Sequence, residues 1–91
     1  MEKKIIMTEH FKRAYKKQGA DKQKLFKKTI EDLSKNPTKK SLRVHPIKHT
    51  NNQVYEASPN MSLRITFQWT EDKQGIILRN CGPHDSTIKN P

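Results

Sequence analysis

The sequence predicts an α+β fold in which a short first strand and a helical hairpin precede a small antiparallel sheet. The apolar side chains of residues 8–36 recur with the three- and four-residue spacing of amphipathic helices. Those of residues 53–81 alternate with the period of two that is typical of strands. A chain of 91 residues has the length of one domain, so we expect a single domain over residues 1–91.

The first predicted elements are a strand and a helix. The run "KIIM", residues 4–7, is apolar, which predicts a short strand. Thr8 is a candidate N-cap, because its hydroxyl can accept a hydrogen bond from the first turn of a helix. Gly19 is expected to end this helix. The apolar side chains at helical spacing are Phe11, Ala14 and Tyr15.

A second helix is predicted after the glycine. Asp21 is its candidate N-cap, and the Asn36-Pro37 pair stops it because proline cannot continue a helix. The two helices are joined by a short turn, which predicts a hairpin that covers one sheet face and leaves the other accessible. The apolar side of the second helix consists of Leu25, Phe26, Thr29, Ile30 and Leu33.

Three strands are predicted in the second half of the chain. The segment "LRITFQW", residues 63–69, alternates apolar and polar side chains, so Arg64 is expected to point away from the core. Trp69 shares the apolar register and is expected at the core or at its edge. The segments "QVYEAS", residues 53–58, and "GIILRNC", residues 75–81, are predicted as flanking strands joined by turns. The element order is then β-α-α-β-β-β.

The chain becomes polar again in its last residues. Cys81 is expected to end the last strand, and Gly82-Pro83 to form a turn that lifts His84 off the sheet. A frayed polar tail and the rim of a functional site are both consistent with this composition.

Charge separates the two halves of the chain. Lys and Arg number 19 against 9 acidic residues, which gives a formal net charge of +10 at pH 7. Residues 1–49 hold 15 basic and 5 acidic side chains, whereas residues 50–91 hold 4 of each. Any one lysine is as consistent with a solvated helix face as with a binding surface, and only their sum implies an anionic partner. The basic side chains expected to face outward from the hairpin are Lys12, Arg13, Lys16, Lys17, Lys24, Lys27, Lys28 and Lys35.

The sequence also argues against a membrane span, an internal disulfide and a metal site. No apolar run reaches the roughly 18 residues of a membrane span, and no signal peptide is evident, so we expect a cytoplasmic protein without a membrane partner. Cys81 alone cannot form an internal disulfide. His45 and His49 lie four positions apart, but Pro46 disfavours a helix that would present both to a metal. We therefore expect no metal and no small-molecule cofactor.

Taken in order, these segments resemble the RelE/ParE toxin superfamily. The similarity lies in the first strand, the basic hairpin ending in "NP", the loop "SLRVHPIKH", the strand carrying Arg64 and the final strand running into "GPHD". It covers nearly the whole chain, and the "GPHD" ending is closer to the histidine-bearing YafQ/HigB branch than to the gyrase-directed ParE branch. The resemblance implies a RelE-like fold and a toxin of a bacterial toxin–antitoxin pair that cleaves mRNA at the ribosome without a metal.

The resemblance also implies roles for particular residues. RNA cleavage requires a 2′-hydroxyl to lose a proton as it attacks the adjacent phosphate, and the departing 5′-oxygen to gain one. Arg64 matches the arginine that the family places on the open strand face, where it would contact the scissile phosphate. His84 matches a carboxy-terminal position filled by His or Arg, and an imidazole titrates near neutral pH, which suits proton transfer. Asp85 is its neighbour and is included as a candidate.

The chain departs from the family pattern before the arginine. Lysines that RelE carries there are replaced by Tyr55 and Ala57. Lys48, His45 and His49 in the preceding loop are candidates for the missing charge or proton acceptor, and which histidine transfers the proton stays open. The candidate RNA-binding side chains are Lys48, Arg43, Arg79, Lys12, Arg13, Lys16, Lys24 and Lys28.

Two other functions remain open at this point. One is inhibition of DNA gyrase by a ParE-like protein, and the other is binding of RNA by a basic module without chemistry. The expected partners are the ribosome, mRNA and a cognate acidic antitoxin. Charge complementarity would bring such an antitoxin to the basic surface, where we expect it to cover Arg64 or to displace the carboxy-terminal segment.

Overall fold

The computed structural model describes residues 2–91. In chain order the strands are β1 (Lys4–Met7), β2 (His45–Pro46), β3 (Tyr55–Ala57), β4 (Leu63–Trp69) and β5 (Gly75–Pro83). The helices are α1 (Glu9–Lys16), α2 (Ala20–Lys35) and α3 (His84–Lys89). The strands form one sheet in the order β1-β5-β4-β3-β2, which confirms the predicted α+β class. None of the helices in the described range has the length and apolarity that a membrane crossing requires.

The helical hairpin forms close to its predicted bounds. Thr8 caps α1, and its Oγ1 accepts a hydrogen bond from the Phe11 amide at 3.1 Å. The predicted cap of α2 is wrong, because Gly19 occupies the N-cap position and Asp21 lies in the first turn. There the carboxylate interacts favourably with the positive end of the helix dipole. Asn36 caps the other end of α2 through a bond from its amide to a helix carbonyl.

The hairpin packs on one face of the sheet and encloses the apolar core. Burial of each large apolar side chain contributes about 1.5–3 kcal/mol. Trp69 lies at the core edge, as predicted, with its ring centroid 5.8 Å from that of Phe67 and the Lys3 ammonium 5.7 Å above the ring. The core consists of Phe11, Phe26, Ile30, Leu33, Leu42, Ala57, Leu63, Ile65, Phe67, Ile76, Leu78 and Cys81.

The sheet differs from the prediction at both edges. The last strand, β5, lies beside the first strand, β1, and these two strands are parallel. The other three pairings in the sheet are antiparallel. At the opposite edge the segment predicted as a loop contributes β2, in which His45 pairs with Glu56 of β3. Short 3₁₀ turns at Lys40–Leu42 and Lys48–Thr50 flank this strand.

The carboxyl end of β5 also differs from the prediction. The strand does not end at Cys81, and the predicted turn at Gly82-Pro83 is wrong, because β5 continues to Pro83. Gly82 pairs with Arg64 of β4. Its φ is 147°, a backbone angle that residues other than glycine rarely adopt. The helix α3 then begins directly at His84.

The segment from α3 onward lies on the sheet face opposite the hairpin. Thr66 Oγ1 of β4 donates to the Pro91 backbone oxygen at 3.1 Å, and Asn80 Nδ2 of β5 donates to the Asn90 carbonyl at 2.9 Å. Thr66 is buried beneath this segment, and Thr87 is the buried residue of α3 itself. The face predicted to be accessible is therefore partly covered, because its polar side chains hold the last residues in place.

Candidate functional site

Arg64 points away from the core, as predicted, but it is held by neighbouring groups and its side chain is only 16% exposed. Its Nε donates to Glu56 Oε1 at 3.1 Å. Its Nη1 donates to the carbonyl oxygens of Asn60, Met61 and Leu63 at 3.0, 3.2 and 2.7 Å. No acceptor within residues 2–91 contacts Nη2, so this edge of the guanidinium remains available to an anion.

Glu56 is a site residue that the sequence analysis missed. Its side chain is 10% exposed, and its Oε2 lies 3.3 Å from Nε2 of His45 while its Oε1 accepts from Arg64. The other ring nitrogen of His45, Nδ1, lies 2.7 Å from the Arg43 carbonyl. Both nitrogens of this ring face oxygen acceptors, and only a ring with a proton on each nitrogen donates to both. The alternation in "VYEAS" could have placed Glu56 on the same face as Arg64.

His84 begins α3 directly after β5, whose last residue, Pro83, pairs with Leu63 of β4. Its backbone N–H donates to the Ser62 carbonyl at 2.8 Å, which ties the start of α3 to the start of β4. Nδ1 of its ring contacts Asp85 Oδ1 at 2.9 Å, and no group within residues 2–91 contacts Nε2. Asp85 is 93% exposed, so this pair adds little to stability. The pair can nevertheless orient the ring so that Nε2 serves in proton transfer.

His49 has a different environment from the other two candidate histidines. Its Nε2 lies 3.0 Å from the Ile88 carbonyl, which can only accept, so Nε2 donates and fastens the 48–50 turn to α3. Lys48 is exposed on the same turn. The structure thus links His49 to the last helix and His45 to Glu56. It leaves Nε2 of the His84 ring without a hydrogen-bond partner in the described residues.

Arg79 is directed toward the other end of β4 from Arg64. Its Nη1 donates to Gln68 Oε1 and its Nε to the Pro91 backbone oxygen at 3.0 Å. Together with His10 these residues line a groove of about 640 Å³. Arg79 is therefore engaged with the end of the chain and is not brought to the Arg64 site.

One of the candidate RNA-binding arginines borders Arg64, and another lies beside α3. Arg43 shares a cleft of about 220 Å³ with Arg64 and with the hydroxyls of Ser41 and Ser58. Arg13 of α1 lines a separate cleft of about 310 Å³ together with Ser86 and Thr87 of α3. Arg43 is therefore next to the Arg64 guanidinium, whereas Arg13 is next to the helix that His84 begins.

The other candidate cations of the hairpin lie elsewhere. Lys12 and Lys16 line an apolar groove between α1, α2 and β1, of about 490 Å³, together with Met7 and Tyr15. Lys24 and Lys28 are exposed on α2, and the described hydrogen bonds, ion pairs and clefts give neither residue a contact with the site. The predicted basic surface is thus divided among separate faces of the molecule.

Cys81 is not placed for nucleophilic chemistry. Burial raises the pKa of its thiol to about 12, and its side chain belongs to the core. The described residues also contain no cluster of three or more His, Cys, Asp or Glu side chains that could hold a metal ion.

Comparison with known proteins identifies the fold. No protein-family model matches the sequence, and no curated protein is significantly similar to it. Among solved structures, the toxin–antitoxin complex RelBE2 from Mycobacterium tuberculosis matches with a TM-score of 0.77 at 12% identity, over 91% of this chain and 99% of that chain. The E. coli DinJ-YafQ toxin–antitoxin complex matches at 0.72 and 14% identity, over 94% of this chain and 97% of that chain.

A third solved structure with a similar fold is also a toxin. The YoeB/ParE toxin from Agrobacterium tumefaciens matches with a TM-score of 0.74 at 14% identity, over 89% of this chain and 98% of that chain. The chain therefore has the fold of the RelE/ParE toxins, including YafQ, as the sequence resemblance implied.

Proposed function

On the fold that it shares with RelE, YafQ and YoeB toxins, we propose that this protein is the toxin of a bacterial toxin–antitoxin pair and cleaves mRNA at the ribosome. One observation carries the proposal. Arg64, whose Nη2 has no partner within residues 2–91, lies at the start of β4, and His84 begins α3 directly after Pro83, the residue of β5 that pairs with Leu63. A phosphate donor and a proton-transfer group, which the reaction needs together, therefore come from adjoining segments.

Each proposed role follows from a free atom in the site. Arg64 Nη2 donates to the non-bridging oxygens of the scissile phosphate, where charge increases as the 2′-oxygen attacks. His84 Nε2 transfers a proton to or from the reacting oxygens, and Asp85 orients the ring through Nδ1. His45, with both ring nitrogens directed at acceptors, is the second candidate for the proton donor. These side chains supply the charge and protons of the reaction, so the proposal assigns no role to a metal.

The surrounding cations would hold the RNA backbone. Arg43 lines the cleft of Arg64, Arg13 lines a cleft beside α3, and Lys48 is exposed on the turn that contacts α3. Phosphate contacts of this kind position a nucleic acid without reading its sequence. Lys12, Lys16, Lys24 and Lys28 would then meet more distant ribosomal RNA or a protein partner.

An acidic antitoxin is the second proposed partner. Two of the similar structures are toxin–antitoxin complexes, and the formal charge of +10 favours association with a protein of opposite charge. Binding over Arg64 would block access to its free Nη2 edge. The same charge would favour entry into the anionic decoding region of a ribosome.

The test is cleavage of mRNA in a reconstituted translation reaction with purified ribosomes. We expect Arg64→Ala to lower kcat/KM by about 100- to 1,000-fold, because one preorganised donor to the transition state is lost. His84→Ala should lower it by about 100- to 10,000-fold through loss of proton transfer. Thermal melts of each variant check that the fold is retained, since Arg64→Ala leaves the buried Glu56 carboxylate with His45 as its remaining partner.

Matched controls come from the same chain. Lys22→Ala removes an exposed cation on α2, and His10→Ala removes an exposed histidine outside the proposed catalytic set. Both should cleave like the wild type. Wild-type rates in the Arg64 and His84 variants would overturn the assignment, as would inhibition of gyrase supercoiling without any RNA cleavage.

A further inference from the structure

A buried carboxylate lies in the middle of the candidate site. Glu56 is 7% exposed and stands on β3, between β2 and β4. Removing a carboxylate from water is costly unless partners compensate it. A negative charge beside a proposed phosphate site also weakens RNA binding. Neither effect explains why this position holds an acid.

The contacts of Glu56 indicate what it contributes. Oε1 accepts from Arg64 Nε at 3.1 Å, and Oε2 lies 3.3 Å from His45 Nε2, so one buried carboxylate connects a guanidinium and an imidazole on two different strands. These groups come from β4 and β2, the two strands that flank β3. The Arg43 carbonyl fixes the far side of the imidazole at 2.7 Å. The carboxylate therefore sets the position of both groups relative to each other.

The orientation of the guanidinium depends on this arrangement. Three carbonyls hold Nη1 and Glu56 holds Nε, so the planar group is fixed through two of its nitrogens, and Nη2 is left without a partner in the described residues. Loss of the Nε contact would leave the group free to tilt about the remaining bonds. A displacement of about 1 Å at a reacting centre can lower a rate about 100-fold.

We propose that Glu56 is a positioning residue, which holds the Arg64 guanidinium and the His45 imidazole in one fixed geometry toward a bound phosphodiester. The inference rests on the proposed function, in which Arg64 contacts the scissile phosphate. Glu56 touches no reacting atom in this scheme and acts through its two partners.

Glu56→Gln tests this role, because it keeps the size of the side chain and removes the charge. We expect kcat for RNA cleavage to fall about 10- to 100-fold, because an uncharged amide oxygen holds the guanidinium less firmly than a carboxylate and the amide NH2 cannot accept from His45. KM should stay equal or fall, because a negative charge next to the RNA is gone. A purely structural residue would instead lower the fraction of folded enzyme and would not separate kcat from KM in this direction.

Two further variants sharpen the comparison. Glu71→Gln makes the same change of charge at an exposed position in the turn before β5, and it should leave both constants unchanged. Glu56→Asp keeps the charge but shortens the reach, so kcat should fall while KM stays at the wild-type value. If urea unfolding shows that Glu56→Gln does not fold, Glu56→Asp tests the positioning role in its place.

A spectroscopic measurement separates this proposal from the proposed function. In the wild type the Arg64 Nε–H should give a slowly exchanging ¹⁵N signal by NMR, because it is bonded to a buried carboxylate. The signal should exchange faster in Glu56→Gln and stay unchanged in Glu71→Gln.

Each outcome then decides one of the two proposals. Wild-type kcat in both Glu56 variants, or an unaltered Arg64 signal in Glu56→Gln, would overturn the positioning role. If the wild type cleaves no RNA, the proposed function fails, and the NMR comparison alone decides whether Glu56 holds Arg64 in place.

Discussion

Burial decides which of the reactive side chains can act. Cys81 is a potential nucleophile by type, but it lies in the core. Arg64 is mostly buried as well, yet one edge of its guanidinium is left without a protein partner. The sheet face on which Arg64 lies could be predicted from the alternation of apolar and polar side chains along β4. Its partners could not, because Glu56 and the Asn60 carbonyl approach it only when β3 and β4 pair.

The thiol of Cys81 gives a prediction at the scale of one residue. Burial raises its pKa from 9.0 to about 12, so the folded state binds this proton more tightly than the unfolded state does. The stabilisation is complete below pH 9.0 and is lost as pH rises toward about 12. Relative to Cys81→Ala, the wild type should therefore lose unfolding free energy over this range in urea titrations.

Reaction with a disulfide reagent provides the check near neutral pH. The native thiol should react far more slowly than the thiol of urea-unfolded protein, because it is both protonated and enclosed. Equal rates in the two states would show that Cys81 is exposed.

At the scale of elements, local sequence patterns account for β1, α1, α2 and β4, but not for the parallel pairing of β1 with β5, for β2 or for α3. The segment that forms β2 contains Pro46 and lacks alternation, and it becomes a strand by pairing with β3. The six residues of α3 are held by bonds from Thr66 and Asn80 to the backbone that follows the helix. Such contacts join residues distant in sequence, so a local pattern cannot indicate them.

Gly82 gives a prediction at this scale. Its φ of 147° is allowed for glycine but strained for other residues, and a Cβ added at this position would lie 3.2 Å from Thr87 Oγ1. We expect Gly82→Ala to lower the free energy of unfolding by about 1–3 kcal/mol, the usual cost of a residue held in a disfavoured backbone region. Urea unfolding measures the change.

Gly19→Ala is the matched control, because Gly19 has a negative φ and nothing lies within 4 Å of an added Cβ. It should change stability by less than about 1 kcal/mol at a helix cap. Equal stability of the Gly82 and Gly19 variants would contradict the backbone requirement at Gly82.

At the scale of the whole molecule, the two sheet faces serve different purposes. One face joins the hairpin in an apolar core, and the other carries Arg64, Glu56 and Thr66 beneath or beside the last helix. The excess of positive charge lies in residues 1–49, which contain the hairpin and β2, whereas the proposed catalytic pair Arg64 and His84 comes from the electrically balanced half. Binding of a polyanion and chemistry on it would thus be divided between the two halves of the chain.

The most direct test of RNA cleavage by this site is induction in a bacterial host followed by mapping of mRNA 5′ ends. The strains express the wild type, the double variant Arg64→Ala/His84→Ala, and His10→Ala as the control. We expect growth arrest with cuts in phase with codons for the wild type and for His10→Ala, and neither effect for the double variant. Growth arrest without such cuts, or the same cuts from the double variant, would rule out RNA cleavage by this site.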